Sequence, residues 1–167
     1  HGDSYDIAVD DVKLINDPLP SVSFSCSFEE SSLCGWTSFT KTELPASFMW
    51  TWQTGTTASK YSGPSSAQQG SYYMYTDKVS SNSVFYLESP STEPKPHDRR
   101  VTFWYHMRLF GSGSPSQRPD GTLSIEYYGD RDQTVGWHDM PGSYFPAWSK
   151  TGYQGSDWLE GFAILPT

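Results

Sequence analysis

The stretch CSFEESSLCGW, Cys26 to Trp36, restricts this chain most. It holds both cysteines of the sequence, separated by eight positions (34 − 26). Ahead of it, Val22, Phe24, Cys26 and Phe28 alternate with Ser21, Ser23, Ser25 and Ser27. That period of two describes a strand with one buried face. A Cys26–Cys34 disulfide would tie the following loop back onto the strand, and closing so short a loop contributes about 2–3 kcal/mol. The competing reading is a pair of reduced, buried thiols. The aromatic-rich, lysine-poor composition around the pair favours the disulfide, and with it an extracellular setting.

A length of 167 residues suits one domain able to bury a core of its own. The chain carries 7 Trp, 11 Tyr and 9 Phe, with Ser, Thr, Gly and Pro between short apolar runs. No long stretch has helical spacing, so the profile is that of an antiparallel sandwich or barrel. A net charge of −8 argues against nucleic acid, which needs clustered cations. Arg99, Arg100, Arg108, Arg118 and Arg131 are dispersed. No apolar run approaches the roughly 18 residues of a membrane span. No leader is recognisable, and His1 reads as the start of a mature or excised segment. There is no N-x-[ST] sequon, because Asn16 precedes Asp-Pro and Asn82 precedes Ser83-Val84.

Residues 1–14 read HGDSYDIAVDDVKL. Ile7 and Val9 share one face, Val12 and Leu14 the other, and the phase slips at Asp10-Asp11. A β-bulge explains the slip and aims both carboxylates at one rim. Residues 15–20, INDPLP, form a stiff connector, since Pro18 and Pro20 exclude a helix. Further strands are expected at 71–77 (SYYMYTD), 83–90 (SVFYLESP), 101–110 (VTFWYHMRLF) and 121–129 (GTLSIEYYG). Residues 36–70 are less regular. In the 101–110 strand, Val101, Phe103, Tyr105, Met107 and Leu109 take one face and Thr102, Trp104, His106 and Arg108 the other. Leu123, Ile125 and Tyr127 face inward in the next. GSGSPSQRPDG is a long loop, and a short apolar run, Phe162 to Leu165, closes the sequence.

In order, CSFEESSLCGW, GSYYMYTD, YLESP, VTFWYHMRLFGSG with GTLSIEYY, and PAWSKTGYQGSDW resemble the MAM domain family, named for meprin, an A5 antigen and a receptor phosphatase. The match covers most of residues 24–165. The resemblance implies an all-β, two-sheet antiparallel jelly-roll sandwich. It also implies an extracellular module for adhesion and oligomerisation, with no catalytic role of its own. Two features depart from the family. DIAVDDVKL looks like the last strand of such a domain, yet it stands first, and after ILPT the family would run two more strands. The segment 1–14 is then either the terminal strand of a preceding copy or the occupant of the missing last-strand slot, in its own chain or in a neighbour's. Residues 15–20 link it to a domain, 21–167, that lacks its own final strands. The family's second cysteine pair is also gone, one position being Arg100 and the other falling in INDPLP, so no disulfide anchors this strand.

The candidate functional residues follow. Ile7, Val9, Val12 and Leu14 form the exchangeable strand, because an open sandwich offers unpaired backbone beside an apolar cleft. Glu29, Asp77, Asp10 and Asp11 are candidate ligands of a structural Ca²⁺, which takes six to eight oxygens in irregular geometry. The alternative is that these acids are solvated or bound to backbone amides. Trp104, Tyr128, Tyr144 and Trp148 are candidate outward aromatics for protein contact or for stacking on sugar rings, whereas Trp36, Trp50, Trp52, Tyr105 and Trp158 belong to the core or its lid. His1, His97, His106 and His138 lack zinc-ligand spacing, and no nucleophile elbow or phosphate loop occurs. Expected partners are proteins, as self-association or tandem MAM domains. A glycan is the alternative, and neither nucleic acid nor membrane insertion is expected.

Overall fold

In the computed structural model, the described residues are 4–16, 21–30, 33–40, 49–59, 61–77, 84–92, 97–110, 121–129 and 143–166. Their strands are β1 (Ser4–Asn16), β2 (Ser21–Cys26), β3 (Thr37–Thr40), β4 (Thr51–Thr54), β5 (Tyr72–Asp77), β6 (Phe85–Glu88), β7 (Arg99–Phe110), β8 (Thr122–Gly129), β9 (Ser143–Thr151) and β10 (Leu159–Leu165). One sheet has six strands in the order β10–β7–β1–β5–β4, with β2 also paired to β1. Against it lie two antiparallel pairs, β3–β6 and β8–β9. The result is the all-β sandwich that the sequence indicates.

The first strand occupies the middle of the large sheet. Along one edge β1 pairs with β7 from Ser4↔Phe110 to Asn16↔Arg99. Along the other it pairs first with β5, Asp6↔Asp77 to Val9↔Met74, and then with β2, Val12↔Cys26 to Asn16↔Ser21. Its register against β7 shifts between Asp10 and Lys13. Asp11 takes a positive φ of 48° there, so the bulge lies where the hydrophobic phase slips. An extra residue re-aims the side chains that follow it, and Ile7, Val9, Val12 and Leu14 all end up buried.

The core lies between this sheet and the two pairs. Phe103, Tyr105 and Met107 project from β7 into it, with Val9, Met74, Phe28 and Leu123. Trp50 is buried, while Trp36 and Trp52 pack on the cluster's margin. The Trp52 ring stacks on Tyr72 at 3.8 Å between centroids, and its indole N–H donates to the Phe28 carbonyl at 2.6 Å.

Cys26 and Cys34 are disulfide-bonded, and Cys26 is among the most buried residues. The bridge fastens a tight turn, with positive φ at Leu33 and Cys34, beneath Trp36, whose ring lies 5.8 Å from Phe24 and 6.4 Å from Phe28. Replacing both cysteines by serine should lower unfolding free energy by about 2–3 kcal/mol in a denaturant titration. The two-state shape should persist, because the strands themselves remain.

Candidate functional site

Three features of the sandwich can meet other molecules: the loop over the outer face of the large sheet, the aromatic surface on the opposite layer, and the cleft between the layers.

The outer face of β1 presents carboxylates to the loop spanning residues 55–71. Asp10 is fully buried. Its Oδ2 accepts the Gln68 and Gln69 N–H groups at 3.0 and 3.4 Å, and its Oδ1 accepts the Asp11 N–H at 2.8 Å. Glu29 Oε1 accepts the N–H groups of Ser71 and Tyr72 at 3.0 and 2.9 Å. The Trp158 indole donates to the Ser66 carbonyl, and the Tyr73 hydroxyl to the Gly55 carbonyl. These bonds hold an irregular segment that has little regular secondary structure to satisfy its own amides. Trp158 also covers His106 at 5.6 Å between rings, whose Nε2 contacts the Ser156 carbonyl at 3.0 Å. Burial lowers the pKa of that imidazole.

At the far end of the same face Asp6 is fully buried beside Asp77. Among the described residues neither of its carboxylate oxygens has a hydrogen bond of good geometry. Asp77 accepts the Ser59 hydroxyl at 3.1 Å. The four expected calcium ligands therefore do not converge. Asp10 and Glu29 are spent on backbone amides of 68–72, Asp11 shares a shallow hollow with Glu29 and Glu30, and Asp77 sits about 13 Å further along the sheet, opposite Asp6. Among the described residues no three His, Cys, Asp or Glu side chains gather as a metal shell. The physical reason is register: β5 runs antiparallel to β1, which carries Asp77 away from the bulge.

Burial pushes the Asp10 carboxyl up to about 7, against the pull of the Asp11, Gln68 and Gln69 amides, with the Asp11 charge adding to the rise. Burial also pushes Asp6 up to about 6; Thr57, Ser62 and Ser59 hydroxyls oppose this, and the charge of Asp77 adds to it. Acids whose folded pKa is raised hold protons in the fold that the unfolded chain has released. Their contribution is therefore most favourable near pH 4 and is lost as pH rises through 6 to 7. The melting temperature should fall between about pH 5 and pH 7.5, and Asp6→Asn should flatten that slope.

The aromatic surface lies on the other layer. Phe39 stacks on Tyr86 at 5.0 Å, Tyr86 lies 6.3 Å from Tyr144, and Tyr144 lies 5.2 Å from Tyr128. Tyr128 and Tyr144 are exposed, at 62% and 38%. The Tyr144 hydroxyl donates to Glu88 Oε1 at 3.1 Å. Two of the four aromatics expected to face outward thus form one patch. Trp148 does not join them: it packs edge-on against Phe103 and Tyr105 at 5.0 and 5.1 Å. The β8–β9 register slips between Ile125 and Glu126, leaving Trp148 opposite Ile125, and this bulge turns the indole inward. Trp104 is half-buried on the large sheet, paired with Asp10 and Glu160, away from the patch.

Between the layers runs an open apolar cleft of about 1210 Å³. Ile7, Val9, Val12 and Phe103 belong to its lining, as do the consecutive residues 84–92 and 121–128.

An antiparallel sandwich with a cleft and an exposed aromatic patch, and no assembled catalytic group among the described residues, defines a surface-presenting β module. The comparisons identify which one: the chain belongs to the MAM family, matching the MAM domain, meprin/A5/mu, over residues 26–167. It is similar to Neuropilin-1a of Danio rerio, at 28% identity over 99% of this chain. The chain spans 17% of that protein's length. No solved structure matches. The family places the chain among extracellular adhesion-type modules. No helix among the described residues is long and apolar enough to cross a membrane.

Proposed function

We propose that this chain is a non-catalytic interaction module, secreted or part of an ectodomain, that associates with copies of itself or with neighbouring MAM domains. Exchange of β1 between neighbours is the mechanism we favour. The supporting observation is the position of Ile7, Val9, Val12 and Leu14: a central strand with two ladders and buried side chains, held by no disulfide. A second copy's β1 would satisfy the same edges of β7, β5 and β2. Because the donor strand and the acceptor slot are different surfaces, such contacts are heterologous and grow head to tail. Sizing with light scattering over a concentration series tests this. Mass rising with concentration is expected, and a monodisperse monomer at the highest concentration excludes exchange.

Carbohydrate binding is the second reading, favoured by the Tyr128–Tyr144 pair beside Glu88, since adjacent rings and a carboxylate suit a sugar. A glycan array with Tyr128→Ala decides it. A structural Ca²⁺ remains part of the proposal in narrower form, with Asp11 and Glu29 as its carboxylates. A melting temperature indifferent to chelator and to added calcium rules that out.

A further inference from the structure

We propose that the cleft between β6 and β8 is a strand-addition site: it takes an extended segment of a partner protein, about seven residues long, apolar at alternate positions and basic at its ends. This goes beyond the exchange of β1 and does not need it, since β1 forms part of the cleft lining and not its occupant.

The backbone makes the first argument. β6 pairs with β3 on one edge and β8 with β9 on one edge; no described strand pairs with the remaining edge of either. Both open into the cleft, as its lining shows. Side chains of a strand alternate between faces, so a cleft against a sheet face would be lined by every second residue. Here the lining includes each residue of 84–92 and each of 121–128. Such continuity arises when a strand presents its edge. Two facing edges over an apolar lining ask for donors and acceptors on both sides at once, which an extended backbone supplies and a lipid or a rigid ring does not.

Size and charge narrow the occupant. At about 1210 Å³ the cleft exceeds the roughly 300–1,000 Å³ of small-molecule pockets. A strand inserted between β6 and β8, and over Ile7, Val9, Val12 and Phe103, would lose most of its surface, approaching roughly 800 Å² per partner, the size of a stable interface. Alternate inward residues would meet that apolar lining. Glu88 and Glu126, both exposed, stand among the lining residues of the two strands in a chain of net charge −8, so basic ends suit the peptide. Arg99, whose guanidinium donates to the Thr92 hydroxyl, is the opposing charge in the lining. Tyr144 spans the gap, its hydroxyl on Glu88 and its ring beside Tyr128, which brings the two half-sheets within reach of one shared strand.

The experiment uses the chain of residues 1–167 and a synthetic peptide alternating valine and threonine with a lysine at each end. Its partner probe is the same peptide N-methylated at every second backbone amide, which keeps the side chains and removes hydrogen-bond donors. Calorimetry should show the N-methylated peptide binding at least tenfold more weakly. Hydrogen exchange of amides in β6 and β8 should slow at least tenfold with the unmodified peptide, with β2 unaffected. Glu88→Lys with Glu126→Lys, both on exposed side chains, should weaken the lysine-ended peptide at least threefold. Equal binding of the two peptides would mean an apolar pocket without strand pairing and overturn the proposal, as would protection located elsewhere or no binding. Protection of β6 and β8 that grows with protein concentration in the absence of peptide would assign the cleft to a second copy and overturn the partner.

Discussion

Removal of residues 1–14 should abolish the cooperative thermal transition. β1 lies between β7 on one side and β5 and β2 on the other, so its loss splits the six-stranded sheet down the middle. Ile7, Val9, Val12 and Leu14 are each 6–8% exposed. Burying an aliphatic side chain contributes about 1.5–3 kcal/mol, so four of them approach the whole stability of a typical domain, about 5–15 kcal/mol. Asp6 and Asp10 leave with them, and the loop over 55–71 loses the Asp10 clamp. Circular dichroism should show a broad, non-cooperative melt, with dye binding to exposed apolar surface. Retention of a sharp transition would mean that the remaining sheets stand without their central strand. Adding residues 4–16 back as a peptide provides an independent readout: restored cooperativity in proportion to peptide concentration shows that the slot, and not folding in general, was lost.

The second large effect concerns a contact between edge and centre. Gly161 on β10 is the cross-strand neighbour of Phe103 on β7. A Cβ at position 161 would stand 2.6 and 2.7 Å from the Phe103 ring, so the ring lies over the glycine. Gly161→Val should cost about 1–3 kcal/mol through overpacking. Phe103→Ala should cost about 3–5 kcal/mol, because a 1% exposed ring that supports Trp148 and Tyr105 is deleted. The double variant should fall short of the sum by roughly 1–2 kcal/mol, since valine enters space the ring has vacated. Strict additivity in urea titrations would show that the two positions do not share that space.

Much of the fold could be read from local pattern. Alternation alone located β2, β7 and β8, and the phase slip at Asp10-Asp11 marked the bulge. Alternation reports which face of a strand is buried, not which strand is its neighbour, so the central place of β1 required the coordinates. The family resemblance pointed to a slot for that strand without giving its two flanking ladders. β9 was missed because Pro146 and the slip at Ile125/Glu126 break its period. The same bulge turned Trp148 inward, against the expectation of an exposed ring. The carboxylates show the sharper limit. Sequence marked Asp10, Asp11, Glu29 and Asp77 as acidic strand ends, and one open reading was that they bind backbone amides. Asp10 and Glu29 do so. Asp6, buried beside Asp77, gave no signal, because an acid in an alternating strand reads as an outward residue until a loop is known to cover it.

The pairing of β1 with β7 also sets a tempo. Val9 meets Tyr105, a separation of 96 residues (105 − 9). Closing so long a span before any ladder forms is entropically costly and slows β-rich chains to the millisecond-to-second range. During synthesis at about 5–20 residues per second, the first strand waits on the order of 5–20 s for its neighbour to emerge. For that interval IAV and its flanks are an unprotected sticky edge, and chaperone dependence in cells should track the hydrophobicity of those few residues.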